Sequence, residues 1–372
     1  MSLLNAHCGI GFSELVKSKY AAILRFGEVK TENEKFRDQF SIKDPGVTRT
    51  SLLALHAMQQ AIADSGLKVQ DIQSYETALV GASTVGGMCN TDDLYSDAKI
   101  AEGGSPFISS YDCASVSIFL QRYFGVRGNV NTINTACSSS ANAIMYGARL
   151  IKNGYAKRAI VGGADSLAKF TINGFNSLGI LSPGFCKPFD NERNGLNLGE
   201  GAAFLVLEKE EDAGAKNLYC SLSGYCNTND AFHPSSLSEN GEGPYKAMQA
   251  ALRKSGLSTG EIDYINTHGT GTENNDEVES KAMKRLFEKV PPFASTKSKI
   301  GHTLGASAAI ETVFSILALT NDEVYPSLNF TLPIESTGLS PVVTVSKRKL
   351  RNVMINSFGF GGNCSSLVFS KI

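Results

Sequence analysis

The sequence has no tryptophan, no Cys-x-x-Cys pair and no apolar run near the ~20 residues needed to cross a bilayer. The missing apolar run argues against a membrane span, and the missing paired cysteines against a zinc finger or a thiol-redox motif. Charge of one sign is not in excess either. Thirty-five Lys and Arg face 36 Asp and Glu, for a formal net charge of −1. That balance gives no reason to expect nucleic acid or an anionic membrane surface as a general partner. The opening stretch "MSLLNAHCGIGFSEL" has no charged segment leading into an apolar one, so it does not read as a secretory leader. The eight cysteines are scattered, which reads as reduced thiols in a cytoplasmic protein.

What is present is a globular composition, 42% hydrophobic and 19% charged. Helical and strand patterns alternate. Residues 49–66 have helical spacing and stop at Gly66; 77–84 read as a buried strand; 129–136 as a strand followed by a helix to Lys152; 158–166 as a strand; 201–213 as a strand running into a charged turn. This alternation argues for an α/β fold with a covered sheet.

The chain also echoes itself. "AMQQAIADSGLKVQDI" (57–72) resembles "AMQAALRKSGLSTGEI" (247–262), and "SSSANAI" (138–144) resembles "LGASAAI" (304–310). The two offsets differ by about two dozen residues, which places an extra loop in the first half, within 88–126. Two related halves, 1–214 and 215–372, follow. Packed together, they bring equivalent helix N-termini to a shared cleft. The second half opens with a strand over 218–226 that has no counterpart in residues 1–30.

Four segments carry chemistry. "NTACSSS" puts Cys137 at the exit of a strand and the entrance of a helix, where backbone N–H groups and the helix dipole favour a thiolate; its serines read as small residues that let a substrate approach. A cysteine is also often a small core residue, so this stretch alone leaves both readings open. "NTHGTGTENND" places His268, Thr270 and Thr272 on a loop before an acidic helix start that carries Asp276 and Glu279. "STKSKIGHTLGASAAIE" sets Lys297 and His302 before an amphipathic helix. Glu311 inside that helix needs a partner, and Lys297 is the nearest candidate. "NSFGFGGNCSS" is a strand, a glycine loop holding Phe360, and a second strand. Together they suit acyl-thioester chemistry: attack by sulfur, then oxyanions held by fixed donors.

These motifs, with "KPFDNERNGLNLGEGAAFLVLE" (187–208) and "DAFHPSS" (230–236), run in the order found in the beta-ketoacyl-acyl-carrier-protein synthases. The chain resembles that family, of the Cys-His-His class, from about Gly9 onward. The resemblance implies a thiolase-like fold: two βαβαβαββ halves in a layered α-β-α-β-α core. It implies that Cys137 takes the acyl chain from a carrier protein or coenzyme A. His268 and His302 would hold the thioester carbonyl of malonyl-carrier protein and the enolate formed as CO2 leaves. Lys297 would hold His302, with Glu311 as its partner. The N–H groups of Cys137 and Phe360 would form the oxyanion hole, with Phe360 as gate. Thr270 and Thr272, and more weakly Ser235, would bind the phosphopantetheine arm, with Asp276 in support. No metal or organic cofactor is implied. An acyl carrier protein is implied, as is a homodimer or a heterodimer with a related subunit, with part of 88–126 at the interface.

Two departures stand out. Glu273 and Asn275 replace the commoner Pro and Gly, a pattern closer to polyketide or aryl-polyene enzymes. The chain also starts at the family's "SGI" position, here Cys8–Ile10, without the family's opening strand. That strand is expected mid-sheet, where its loss leaves unpaired backbone in the interior. A non-catalytic chain-length partner subunit is the competing reading, and the intact Cys137 and histidines count against it. A degradative thiolase would use a second cysteine in a glycine loop, where Cys364 stands.

Overall fold

A computed structural model describes the chain apart from residues 1, 2, 6, 101, 103, 215 and 217. Its first half is built on four strands, β1 (Thr77–Ala82), β2 (Val130–Ile133), β3 (Arg158–Asp165) and β4 (Gly201–Glu208). The order across the sheet is β2-β1-β3-β4, with β4 antiparallel to β3 and the rest parallel. The second half holds β5 (Ser221–Asn229), β6 (Tyr264–Asn266), β7 (Phe293–Ala294), β8 (Asn352–Gly359) and β9 (Asn363–Ser370), ordered β5-β9-β8-β6-β7. β1 and β3 are buried on every residue and, between Thr77 or Arg158 at the start and Asp165 at the end of β3, carry apolar residues and glycines, as strands covered on both faces must.

Seven helices matter for the site: α1 (Arg49–Ser65), α2 (Ser139–Lys152), α3 (Lys169–Ser177), α4 (Glu242–Ser255), α5 (Glu273–Leu286), the short α6 (Lys297–Ile300) and α7 (Ser307–Asn321). The Thr48 hydroxyl accepts from Ser51 N–H at the start of α1. Gly66 and Gly256 end α1 and α4 in the left-handed conformation, so the two halves of the sequence echo share one helix stop. α1 covers the outer face of the first sheet and α4 with α5 the outer face of the second. α2 and α7 lie between the sheets. This is the α-β-α-β-α layering that the resemblance implies. The extra segment of the first half lies between β1 and β2 and forms a helix over Thr91–Ile100; the helix after it, Ala114–Phe124, packs on α1, β1 and β2 and is the counterpart of α5.

The missing strand requires a correction. Matching the halves pairs β4 with β9, and β9 carries β5 on its outer side. The counterpart of β5 in the first sheet would therefore lie at the edge beside β4, not mid-sheet. Among the described residues β4 pairs with β3 alone, and Leu205, Val206 and Leu207 along it are half-buried. The opening strand of the second half also starts later than its sequence suggests, at Ser221. The stretch Leu304–Asn321 is apolar enough over 18 residues to match a spanning helix, which the sequence reading excludes; it is 67% buried inside the protein. It is the core helix α7 with the turn that leads into it.

Glu200, just before β4, ties the first half together. It accepts from the Arg49 guanidinium at 2.5 to 3.1 Å, and from Leu167 N–H and Val29 N–H. Both side chains are buried. Removing one partner leaves an uncompensated charge, which costs about 3–5 kcal/mol. Arg49→Met is expected to lose that much stability in urea denaturation; a loss below about 1 kcal/mol would contradict this role.

Candidate active site

Cys137 sits in a tight turn between β2 and α2. Ala136 before it is left-handed at φ 53°, an uncommon conformation for a residue with a side chain. The three serines after it are fully buried and bonded within the protein. Ser138 Oγ lies 2.7 Å from Asn363 Oδ1 on β9. Ser139 Oγ lies 2.5 Å from the Ala136 carbonyl and accepts from Thr135 N–H. Ser140 Oγ accepts from Ala309 N–H at 2.9 Å. They do not clear a path for substrate, as the sequence suggests. They brace the turn and stitch the start of α2 to the start of α7.

His302 Nε2 lies 3.0 Å from Cys137 Sγ. Its Nδ1 accepts from Leu304 N–H at 3.3 Å, which leaves the neutral ring's proton on Nε2. His302 therefore faces the sulfur as a donor, suited to holding negative charge. Its backbone is clamped from the first half: its N–H donates to Asn197 O, and its carbonyl accepts from Gly199 N–H. The His268 ring stands edge-on to His302, with centroids 5.4 Å apart. Cys137, His268 and His302 offer donor atoms within 4.8 Å of one another, a set that could hold a soft divalent ion in place of substrate.

Lys297 is 1% exposed and its ammonium lies 2.5 Å from Glu311. It does not touch the His302 ring. It holds that residue's loop through its carbonyl, which accepts from Gly301 N–H. Burial pulls the Glu311 carboxyl upward and the Lys297 charge opposes it. Burial, and then the same charge, hold both imidazoles well below their ordinary value of 6.5. Burial pushes the Cys137 thiol up to about 11, against the Lys297 charge and the backbone N–H groups of Phe360 and Cys137. The resting site is thus a neutral thiol, two neutral imidazoles and one internal ion pair.

Asp276 lies in the first turn of α5, as the sequence suggests, and Glu279 follows about a turn later. Both are buried and organise the loop before the helix. Asp276 accepts from the backbone N–H of Thr270, Gly271 and Phe189. Glu279 accepts from the N–H of His268 and Gly269, and burial raises its carboxyl to about 7. Thr270, Thr272 and Ser235 line a cavity of about 420 Å³ that reaches Cys137, His268, His302 and Phe360. The Phe360 ring stacks on Phe175 of α3, centroids 5.9 Å apart at 17°. Cys364 lies outside this lining, buried, with its thiol against the Gly362 carbonyl, which removes the structural ground for a second active cysteine.

Sequence reasoning missed Asp165 and Asn363. Asp165 is fully buried at the end of β3 and accepts from Ser83 Oγ, Thr84 N–H and Oγ1, Val85 N–H and Gly305 N–H. It joins the first half to the loop just after His302. Asn363 Oδ1 accepts from Asn142 and Asn227 amides and meets Ser138. A carboxylate closing the apolar run "RAIVGGAD" was the only available signal for the first.

Two outcomes follow from this geometry. A side chain on Gly359 would place Cβ 2.6 Å from Thr135 O and 3.2 Å from Cys137 N. Gly359→Ala is expected to slow acyl transfer to Cys137 by about 10²-fold by shifting the nucleophile or the Phe360 N–H; an unchanged single-turnover rate would contradict it. Both histidines are protonated more readily unfolded than folded. Stability is therefore present above pH 6.5 and falls as pH drops below it, by up to about 2.7 kcal/mol per pH unit for two such groups. In urea titrations from pH 7.5 to 5, His268→Gln or His302→Gln is expected to show a flatter slope than the parent; equal slopes would contradict the assignment.

The sequence matches the profile of the beta-ketoacyl synthase N-terminal domain over residues 4–213 and of the beta-ketoacyl synthase C-terminal domain over 219–331. It is 35% identical over 340 residues to 3-oxoacyl-[acyl-carrier-protein] synthase 2 of Rhizobium meliloti, covering 86% of this chain and 80% of that protein. It is 34% identical to the protein of the same name from Synechocystis, covering 93% and 86%. Among solved structures, the ketosynthase ApeO in complex with its chain length factor ApeC, from Xenorhabdus doucetiae, superposes with a TM-score of 0.85 at 32% identity, covering all of this chain and 92% of that one. The ishigamide ketosynthase/chain length factor gives 0.92 at 26%, covering all of this chain and 94% of that one. With Cys137, His268 and His302 gathered at the junction of two matched halves, the chain belongs to the beta-ketoacyl synthase family.

Proposed function

We propose that the protein is a decarboxylative condensing enzyme that joins an acyl group on Cys137 to a malonyl group on an acyl carrier protein, giving a 3-oxoacyl-carrier protein. The observation that carries this reading is the approach of His302 Nε2 to Cys137 Sγ inside a cavity walled by His268 and the Phe360 loop.

The first step moves the acyl group from the carrier's sulfur to Cys137 Sγ. The C–S bond to the carrier breaks, the bond to Sγ forms, and the proton lost by Cys137 ends on the carrier thiol. The backbone N–H groups of Cys137 and Phe360, both of which act to lower the thiol, would supply the donors for the tetrahedral oxyanion. In the second step the malonyl carboxylate leaves as CO2, and its bonding pair stays on the adjacent carbon. The enolate oxygen falls to His268 and His302. Neutral N–H donors suit this task, because an imidazolium would be discharged by the enolate. The carbon then attacks the acyl carbonyl, the C–S bond to Cys137 breaks, and the sulfur takes up a proton. Lys297, balanced by Glu311, supplies positive potential without touching substrate. Thr270, Thr272 and Ser235 provide hydroxyls along the wall for the amides of the arm, with Phe360 as the gate held by Phe175.

The relatives are named 3-oxoacyl-[acyl-carrier-protein] synthase or, in Streptomyces halstedii, putative polyketide beta-ketoacyl synthase 1, and the structural neighbours include ketosynthases solved with a chain length factor, so we infer a dimer with itself or with a related subunit. The assembled cysteine and histidines argue that this chain is the catalytic partner. The unpaired cysteines support a cytoplasmic location.

Intact-protein mass spectrometry tests the reading. Incubation with acyl-carrier protein and then malonyl-carrier protein is expected to give an acyl adduct lost in Cys137→Ala, followed by a 3-oxoacyl product. His302→Ala is expected to retain the adduct but lower condensation by about 10²–10³-fold. A folded protein that never acquires the adduct would overturn the proposal.

A further inference from the structure

The cavity that leads to Cys137 is walled by neutral groups with one exception. Its polar lining comprises Asn194, Ser235, Ser236, Thr270, Thr272, Asn274 and Asn275, with the two neutral histidines at its base. The one charged side chain on the lining is Glu273, exposed beside Thr272 at the outer end of the wall. Among the described residues, no lysine or arginine lines it. Arg193 lies behind this wall, but its guanidinium is buried and directed at the carbonyl oxygens of Asp190, Thr272 and Glu273. On α5 it faces Asp276 and Glu277, and Glu277 is further paired with Lys281. The acids at this end of α5 thus outnumber the cations set against them.

A phosphopantetheine arm could enter from two sources. On a carrier protein it ends in one phosphodiester. In coenzyme A it ends in a pyrophosphate and a further phosphate, roughly four negative charges near neutral pH. A lining whose one charge among the described residues is a carboxylate opposes the second far more than the first, and the difference fades as salt shortens the range of the interaction below about 8 Å. The geometry points to Glu273 as a specificity residue that excludes coenzyme A thioesters and reserves Cys137 for carrier-bound acyl groups. This rests on the condensing-enzyme reading for its substrate and deepens it. The transfer itself is unchanged: the acyl carbon leaves one sulfur for Cys137 Sγ, and the departing thiol takes the proton.

The test compares acyl-coenzyme A with the uncharged acyl-pantetheine, which has the same arm without the phosphates. Rates of acyl transfer to Cys137 are measured for the parent, Glu273→Asp, Glu273→Gln and Glu273→Lys, at 50 mM and 500 mM salt. The ratio of kcat/KM for coenzyme A over pantetheine is expected to stay near the parent's in the Asp variant. It is expected to rise about threefold in Gln and about tenfold in Lys at low salt, and to rise far less at high salt. An unchanged ratio across all four proteins would overturn the proposal. So would an equal gain for both substrates, which would mean that Glu273 merely narrows the passage. Calorimetric binding of coenzyme A and pantetheine to the same proteins reads the charge effect without turnover. Tighter coenzyme A binding by Glu273→Lys in a protein that never forms the acyl adduct would sink the catalytic reading and leave this one standing.

Discussion

A single ammonium group buried between two sheets sets the terms for the whole site. Lys297 cannot be hydrated where it stands, so it needs the Glu311 carboxylate from α7. The pair is neutral as a unit, but its near end is positive toward the active site. Burial, and then that potential, keep two imidazoles unprotonated next to a thiol. A condensing enzyme must stabilise oxyanions twice while never protonating the carbanion early. Neutral donors backed by a fixed cation meet both demands; a solvent-exposed imidazolium meets neither.

The duplicated architecture explains why these groups meet. α2 and α7 are equivalent helices in the middle layer, and their N-termini approach one another at Ser140 and Ala309. Cys137 sits at the head of one and His302 just before the other. His268 and Phe360 arrive from the ends of β6 and β8, which are neighbours in the second sheet. Every group that the proposed reaction uses is thus carried at a strand end or helix start, where a short turn on a rigid frame places it. Gly359 lets the hairpin loop reach the nucleophile turn at backbone distance.

Much of this was legible in the sequence because it is local. A strand, a small-residue turn and a helix leave a readable pattern, so Cys137, His268, Lys297 and His302 stand out with their neighbours. Lys297 and Glu311 are fourteen residues apart on adjoining elements, and a carboxylate in an apolar helix announces its need for a partner. The rest was not legible because it is long-range. Asp165 draws its donors from 80 to 140 positions away, and Asn363 meets Ser138 across 225. Such contacts leave no periodicity. The serines after Cys137 look like clearance and turn out to be struts. Sheet order was equally hidden: buried strands read alike whether central or at an edge, which is why the absent opening strand was expected mid-sheet rather than beside β4.

The central claim is the protonation state of the two histidines. Nitrogen-15 NMR of protein labelled at its five histidines, assigned with His268→Gln and His302→Gln, reads that state directly. The account predicts that both rings are neutral at pH 6.5 and below, with the His302 proton on Nε2. An imidazolium signal from either ring at pH 6.5 would contradict it.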